Sequence, residues 1–206
     1  AGVHSEYNKG FSLSELFTVS SVGIVTSRDE FVIDSDKNAL EKRLKKFLAS
    51  GTGQEAMGKF GLRENKVWKA ADALRHEFDD NNIASITYRP FDNRYLYYHD
   101  DFIERSRKEV MKHFLRQNLG LLVMRQAQMD GGFSHVMLTK NIADNRVFYS
   151  GKGIVEEMPL YLYKEDGSHV PNLKTEIINQ TEIIVGKTSP EDIFDYIYAV
   201  LHSPNY

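Results

Sequence analysis

The stretch Ala84-Ser-Ile-Thr-Tyr-Arg-Pro-Phe-Asp-Asn-Arg-Tyr-Leu-Tyr-Tyr98 marks a change in the character of the chain. Upstream of it the apolar residues recur with helical spacing. Within it β-branched and aromatic residues dominate, and the periodicity shortens to that of strands. Ala84–Tyr88 and Arg94–Tyr98 predict two strands, and the link Arg89–Asn93 contains the turn formers Pro90 and Asn93, so a β-hairpin is expected. On the upstream side, Asp36 is positioned to cap a helix running to Leu48, with Leu40, Leu44, Phe47 and Leu48 on one face and lysines elsewhere. Residues 50–65 are Gly-rich and read as a loop with a helical turn. A second helix is expected over Glu64–Phe78, with Val67, Trp68, Ala71, Leu74 and Phe78 inward. Earlier still, Val22–Val25 and Phe31–Ile33 read as short strands, with an Arg28–Asp29 ion pair organising the turn between them.

Downstream, a helix is expected over Arg105–Leu115, then strands at Leu119–Arg125, His135–Thr139 and Glu157–Tyr163. The last helix has the best-defined start: Ser189 as N-cap, Pro190 in the first position, Glu191 and Asp192 at the positive end of the dipole. Runs of helix and strand in this order fit an α+β fold, a mixed short-stranded sheet with flanking helices, rather than a repeated βαβ weave. The pattern divides at the hairpin, into a helical, linking segment over residues 1–80 and an α+β core over residues 81–206.

With 206 residues and 41% hydrophobic content the chain can bury a core. It has no Cys, which removes disulfides, thiolate metal sites and Cys nucleophiles, and fits a reducing cytoplasm. No stretch approaches the roughly 20 apolar residues of a membrane span. The N-terminus has no starting Met and no signal-peptide pattern, as expected of a processed chain or an excised fragment. Net charge is −3, which weighs mildly against nucleic acid as a partner, so local charge has to carry that case.

Local charge is concentrated after the hairpin. Arg105, Lys108, Lys112 and Arg116 follow one another at spacings of 3, 4 and 4, one face of the expected helix. Between Arg105 and Arg125 six Arg or Lys stand against one acid, Glu109, an arrangement suited to tracking phosphates and equally to a solvated helix face. Arg125, Gln126 and Gln128 follow a strand. Arg can engage a guanine edge with two donors and Gln an adenine edge likewise, although a plain polar loop would look the same. His135 and Arg146 lie in the segment that follows and can join that surface. In the hairpin, Arg89 and Arg94 interleave with Tyr88, Phe91, Tyr95, Tyr97 and Tyr98; the cluster can stack on bases, or it can pack on itself with an Arg paired to Asp92.

Catalytic chemistry has no support in the residue pattern. The seven His show no His-x-x-x-His spacing and no carboxylate cluster accompanies them, so no metal site is expected. There is no nucleophile elbow and no P-loop. Ser203-Pro204-Asn205-Tyr206 superficially matches the base-holding loop of amino-methyltransferases, but Asn205 replaces its second Pro and it follows a helix.

Four segments together resemble the C-terminal specificity region of Type ISP restriction-modification enzymes and related large N6-adenine DNA methyltransferases. They are Gly23–Asp29; Tyr88–Arg94 with Tyr97-Tyr98, Arg105-Ser-Arg107 and Val110-Met111; Asn118–Leu121 with Arg125-Gln126 and Pro159–Tyr163; and Ser189–Phe194 with Tyr196–Pro204. The resemblance implies a non-catalytic target-recognition module, part of a larger target-recognition domain that extends past the C-terminus, binding double-stranded DNA. In it, residues 1–80 join an upstream methyltransferase core of the same polypeptide, which would use S-adenosylmethionine on an adenine N6; no cofactor is expected in residues 1–206. The alternative is a structural coupler that packs that core against its neighbours without reading bases.

Overall fold

In the computed structural model, residues 12–124, 135–149 and 153–203 are described. The elements in chain order begin with α1 (Leu13–Leu16), β1 (Ser21–Val22), α2 (Asp29–Val32), β2 (Ile33–Asp34), α3 (Lys37–Leu48), α4 (Gly53–Phe60) and α5 (Ala70–Ala73). The central elements are β3 (Ile83–Arg89), β4 (Asp92–Tyr97), α6 (Lys108–Met111), β5 (Gly120–Met124), β6 (Val136–Thr139) and β7 (Ile142–Ala143). The chain ends with β8 (Val155–Pro159), β9 (Tyr161–Tyr163), β10 (His169–Pro171), α7 (Thr175–Val185) and α8 (Pro190–Leu201).

Two four-stranded sheets organise these elements into an α+β fold. One has the order β2-β4-β3-β7, antiparallel except for the parallel β3–β7 edge, and the other has the order β1-β8-β5-β6, antiparallel throughout. The β9–β10 hairpin stands apart. The sequence pattern identified the β3–β4 hairpin correctly, including its turn: Arg89 pairs with Asp92, a bulge falls between Thr87 and Arg89, and Pro90-Phe91 form the tip.

Each sheet has its own core. Helix α3 lays Leu40, Leu44 and Phe47 against the first sheet, where Phe47 meets Phe31, Phe60 and Phe102, and Leu96 and Tyr97 of β4 are fully buried. The second sheet packs Leu121, Val123, Val136 and Met158 against Phe17 of the N-terminal turn and Ile193, Phe194 and Ile197 of α8. Packing therefore crosses residue 80, because β2 hydrogen-bonds to β4 and the α3 face shares one core with the hairpin.

Several sequence expectations change. The helix expected over 64–78 is reduced to Ala70–Ala73, and Val67 is exposed. Side chains take over the backbone donors just before it: Asn65 Oδ1 accepts from Val67 and Trp68, and Glu64 Oε1 from Ala70. The Gly-rich stretch instead forms α4, because Thr52 accepts from Glu55 N–H at 3.2 Å and Gly61, at φ +63°, ends the helix. Phe31–Val32 turn as α2 rather than extend, since the Arg28 carbonyl accepts from both N–H groups. Arg28 does not pair with Asp29; its guanidinium donates to the carbonyls of Thr26 and Phe102 and covers the Trp68 ring at 4.2 Å, while Asp29 accepts from the Thr26 and Tyr88 hydroxyls. The strand expected over 157–163 is divided at Leu160, and α7 arises from a segment with no recognised start signal.

A candidate nucleic-acid interface

The basic ridge differs from its sequence reading. Arg107 sits at φ +52°, so helix α6 begins only at Lys108 and passes into a 3-10 turn over Lys112–Phe114. Arg105 lies outside the helix, in a backbone bridge with Val25. The four cations therefore do not share one helical face, although all four remain exposed. Lys108 is neutralised by Asp100, whereas Arg105, Lys112 and Arg116 make no ion pair within 4.0 Å among the described residues. Val110, Met111 and Phe114 anchor the segment from beneath. At its far end Arg116 spreads over the Tyr163 ring at 5.5 Å, and buried His113 accepts from Tyr163 N–H at 2.9 Å, tying the ridge to β9.

A second cationic group is built on the hairpin. Arg89 and Arg94 both cover Tyr88, at 3.9 and 4.3 Å, and Arg89 also faces Tyr149 at 5.7 Å. Arg94 is held by Asp92 in a two-pronged contact, and Arg89 by Asp144 at 2.9 Å. Asp144 is buried, which raises its carboxyl pKa against the opposing pull of Arg146 N–H and Arg89. Exposed Arg146 follows in the chain, and its backbone N–H donates to that same Asp144 at 2.9 Å. Phe91 projects from the tip, 93% exposed, at φ +61°, a backbone position that disfavours every residue but Gly and Asn. His135 lies at the start of β6, its ring edge-on to Phe148 at 5.6 Å. Arg125, Gln126 and Gln128 lie outside the described residues.

The structure thus gathers Arg94 with Arg89, Tyr88, Tyr149 and Asp144, holds the backbone of Arg146 against the same Asp144, and leaves the Arg105–Arg116 segment apart in sequence. Tyr149 and Asp144 carried no sequence signal, because their roles arise only where β3 meets the β7 end. Among the described residues, one set has metal-ligand geometry: His76, His99 and Asp101. Burial and the neighbouring His99 lower the pKa of His76.

These features define an α+β domain that presents cations and aromatic rings at its surface. The chain belongs to the Type ISP C-terminal specificity domain family, whose model matches residues 15–206. No curated protein matches the sequence. Its fold is similar to part of the protein in the cryo-EM structure of a DrdV–DNA complex, with TM-score 0.70 and 24% identity over 92% of this chain and 20% of that one. It is also similar to part of the ATP-dependent Type ISP restriction-modification enzyme LlaBIII bound to DNA, with TM-score 0.70 and 22% identity over 95% of this chain and 14% of that one. A nuclease-deletion mutant of the Type ISP enzyme LlaGI, in complex with a DNA substrate mimic, gives TM-score 0.61 and 20% identity over 95% and 19% of the two chains. The chain therefore spans a fifth or less of the length of these proteins.

Proposed function

We propose that this chain is the DNA target-recognition module of a Type ISP restriction-modification enzyme. The observation that carries the reading is the family match over residues 15–206, together with a fold shared by three proteins whose structures contain DNA or a DNA mimic. In this reading Arg105, Lys108, Lys112 and Arg116 neutralise phosphates. Arg94, Arg125, Gln126, Gln128, His135 and Arg146 face the groove or the bases, and Phe91 packs on a sugar or base edge. The parent polypeptide would carry the methyltransferase core and use S-adenosylmethionine on an adenine N6.

Titration of the purified chain with a mixed-sequence duplex, followed by fluorescence anisotropy, tests the reading. Binding that weakens steeply with salt is expected, and no binding at low ionic strength would overturn it. A second reading, the structural coupler, is favoured by one observation. At the end of α7, Ile183, Ile184 and Val185 are 83%, 81% and 65% exposed, and Tyr196 of α8 is 71% exposed. Under that reading the chain captures a separately produced methyltransferase core and leaves DNA free.

A further inference from the structure

We infer that His76, His99 and Asp101 form a binding site for a divalent transition-metal ion of the zinc class, which clips the segment after α5 to the loop after β4. His76 follows α5, and His99 and Asp101 lie just beyond the C-terminal end of β4, so the whole β3–β4 hairpin separates the ligands in sequence. Nδ1 of His76 and Nδ1 of His99 lie 3.7 and 3.5 Å from the same oxygen, Asp101 Oδ2. One ligand atom from each residue falls within 4.8 Å of the other two.

These separations do not suit hydrogen bonds, which close to about 2.7–3.2 Å. They do suit a shared ion: bonds of about 2.0–2.2 Å in a tetrahedral shell place neighbouring ligand atoms about 3.3–3.6 Å apart. Asp101 N–H donates to His99 Nδ1 at 3.3 Å, a long contact that identifies this nitrogen as the unprotonated one and that an ion would displace. The rings of His76 and His99 lie with centroids 4.2 Å apart and planes tilted by 43°, both beside Asp101.

The surroundings supply the outer contacts that metal-binding histidines use. His76 Nε2 lies 2.8 Å from the hydroxyl of fully buried Tyr97, and that oxygen also accepts from Asp79 N–H at 3.1 Å. In the tautomer with Nε2–H donating to Tyr97, Nδ1 presents its lone pair to the gap. The Asp101 backbone is fixed by Trp68, whose indole N–H donates to its carbonyl at 2.7 Å. The side chains of His76, His99 and Asp101 are 12%, 31% and 43% exposed, so the set opens to solvent on one side, where water completes the shell. Two imidazoles and one carboxylate select Zn²⁺, Co²⁺ or Ni²⁺ over Mg²⁺ and Ca²⁺. The same loop carries Asp100, so the ion would also fix the carboxylate that pairs with Lys108.

The test is titration of the metal-free chain, without a polyhistidine tag, with Co²⁺ and then Zn²⁺. The expected result is one saturating site with the visible absorbance of tetrahedral Co²⁺, displaced by Zn²⁺, and a rise in Tm with either ion. His76→Gln, His99→Gln and Asp101→Asn should each weaken binding by an order of magnitude or more, while exposed His202→Gln leaves it unchanged. Asp101→Asn keeps the side-chain shape and guards against a variant that simply unfolds. Absence of saturable binding at millimolar Zn²⁺ overturns the inference, as does a site that survives these substitutions in chains whose circular dichroism matches the wild type.

Discussion

Neutralising Arg105, Lys112 and Arg116 together, each to Gln, should change the salt dependence of DNA binding by a defined amount. The three side chains are exposed and free of ion pairs within 4.0 Å among the described residues, so each can displace one condensed counterion. Each phosphate contact contributes about −0.9 to the slope of log K against log[salt], so the triple variant should be shallower by roughly 2.7. Over a fourfold rise in salt that difference is roughly 40-fold in relative affinity, well within the range of an anisotropy titration. Lys108 behaves differently, because Asp100 already neutralises it. Asp100→Asn should release it, tightening binding and steepening the slope by up to about 0.9. An unchanged slope in the triple variant, with the fold intact by circular dichroism, would remove the ridge from the interface. An unchanged slope and affinity in Asp100→Asn would show that Lys108 faces away from the DNA.

Phe91→Gly should leave Tm nearly unchanged, because relief of about 1 kcal/mol of strain at φ +61° is offset by the added freedom of Gly in the unfolded chain. DNA affinity, read by the same anisotropy assay, should fall by about 1–3 kcal/mol if the ring packs on a base. Asn172→Ala should cost about 3 kcal/mol or more by urea denaturation. That fully buried side chain accepts from Val19 N–H at 2.8 Å and donates to the carbonyls of Val19 at 2.7 Å and Pro159 at 2.8 Å, all left unpaired in the variant. Glu157→Gln should flatten the dependence of stability on pH. Burial raises the Glu157 pKa well above its ordinary value, with Ala143 N–H opposing it only in part. A raised folded-state pKa means the wild type is most favoured below the unfolded pKa and loses stability as pH rises through the folded one. The urea midpoint of the variant should therefore gain on the wild type from pH 5 upward, and parallel curves would refute the assignment.

How much of this was legible in the sequence varied with the range of the interaction that decides each element. The β3–β4 hairpin, α3 and α8 were readable because their signals are local: Pro90 at a turn, Asp36 and Ser189 as caps, an apolar stripe in each helix. Asp36 does accept from Asn38 N–H at 2.8 Å, and Ser189 from Asp192 N–H at 3.1 Å. The 64–78 and 105–115 segments carried the right periodicity but were shortened by groups outside the pattern. Asn65 captured two backbone donors, and the bridge between Val25 and Arg105 pulled Arg105 out of the helix. The resemblance identified the family; the positions of Arg94, Arg146 and the ridge relative to one another required the fold.

The acidic net charge and the proposed DNA-binding role are reconciled by where the acids lie. Asp92, Asp144 and Asp100 pair with Arg94, Arg89 and Lys108, so part of the negative charge holds cations in place at the surface rather than opposing a polyanion. A guanidinium held two-pronged by Asp92 keeps one face on Tyr88 and loses little further freedom on binding, which favours discrimination of shape over bulk attraction. In the proposed complex, Arg105, Lys112 and Arg116, which make no ion pair within 4.0 Å among the described residues, would supply the salt-sensitive part, and the paired cations on the hairpin would act at short range. Such a division predicts that neutralising the ridge weakens binding to every duplex alike, whereas changes at Arg94 or Arg146 alter the ranking of duplexes against one another.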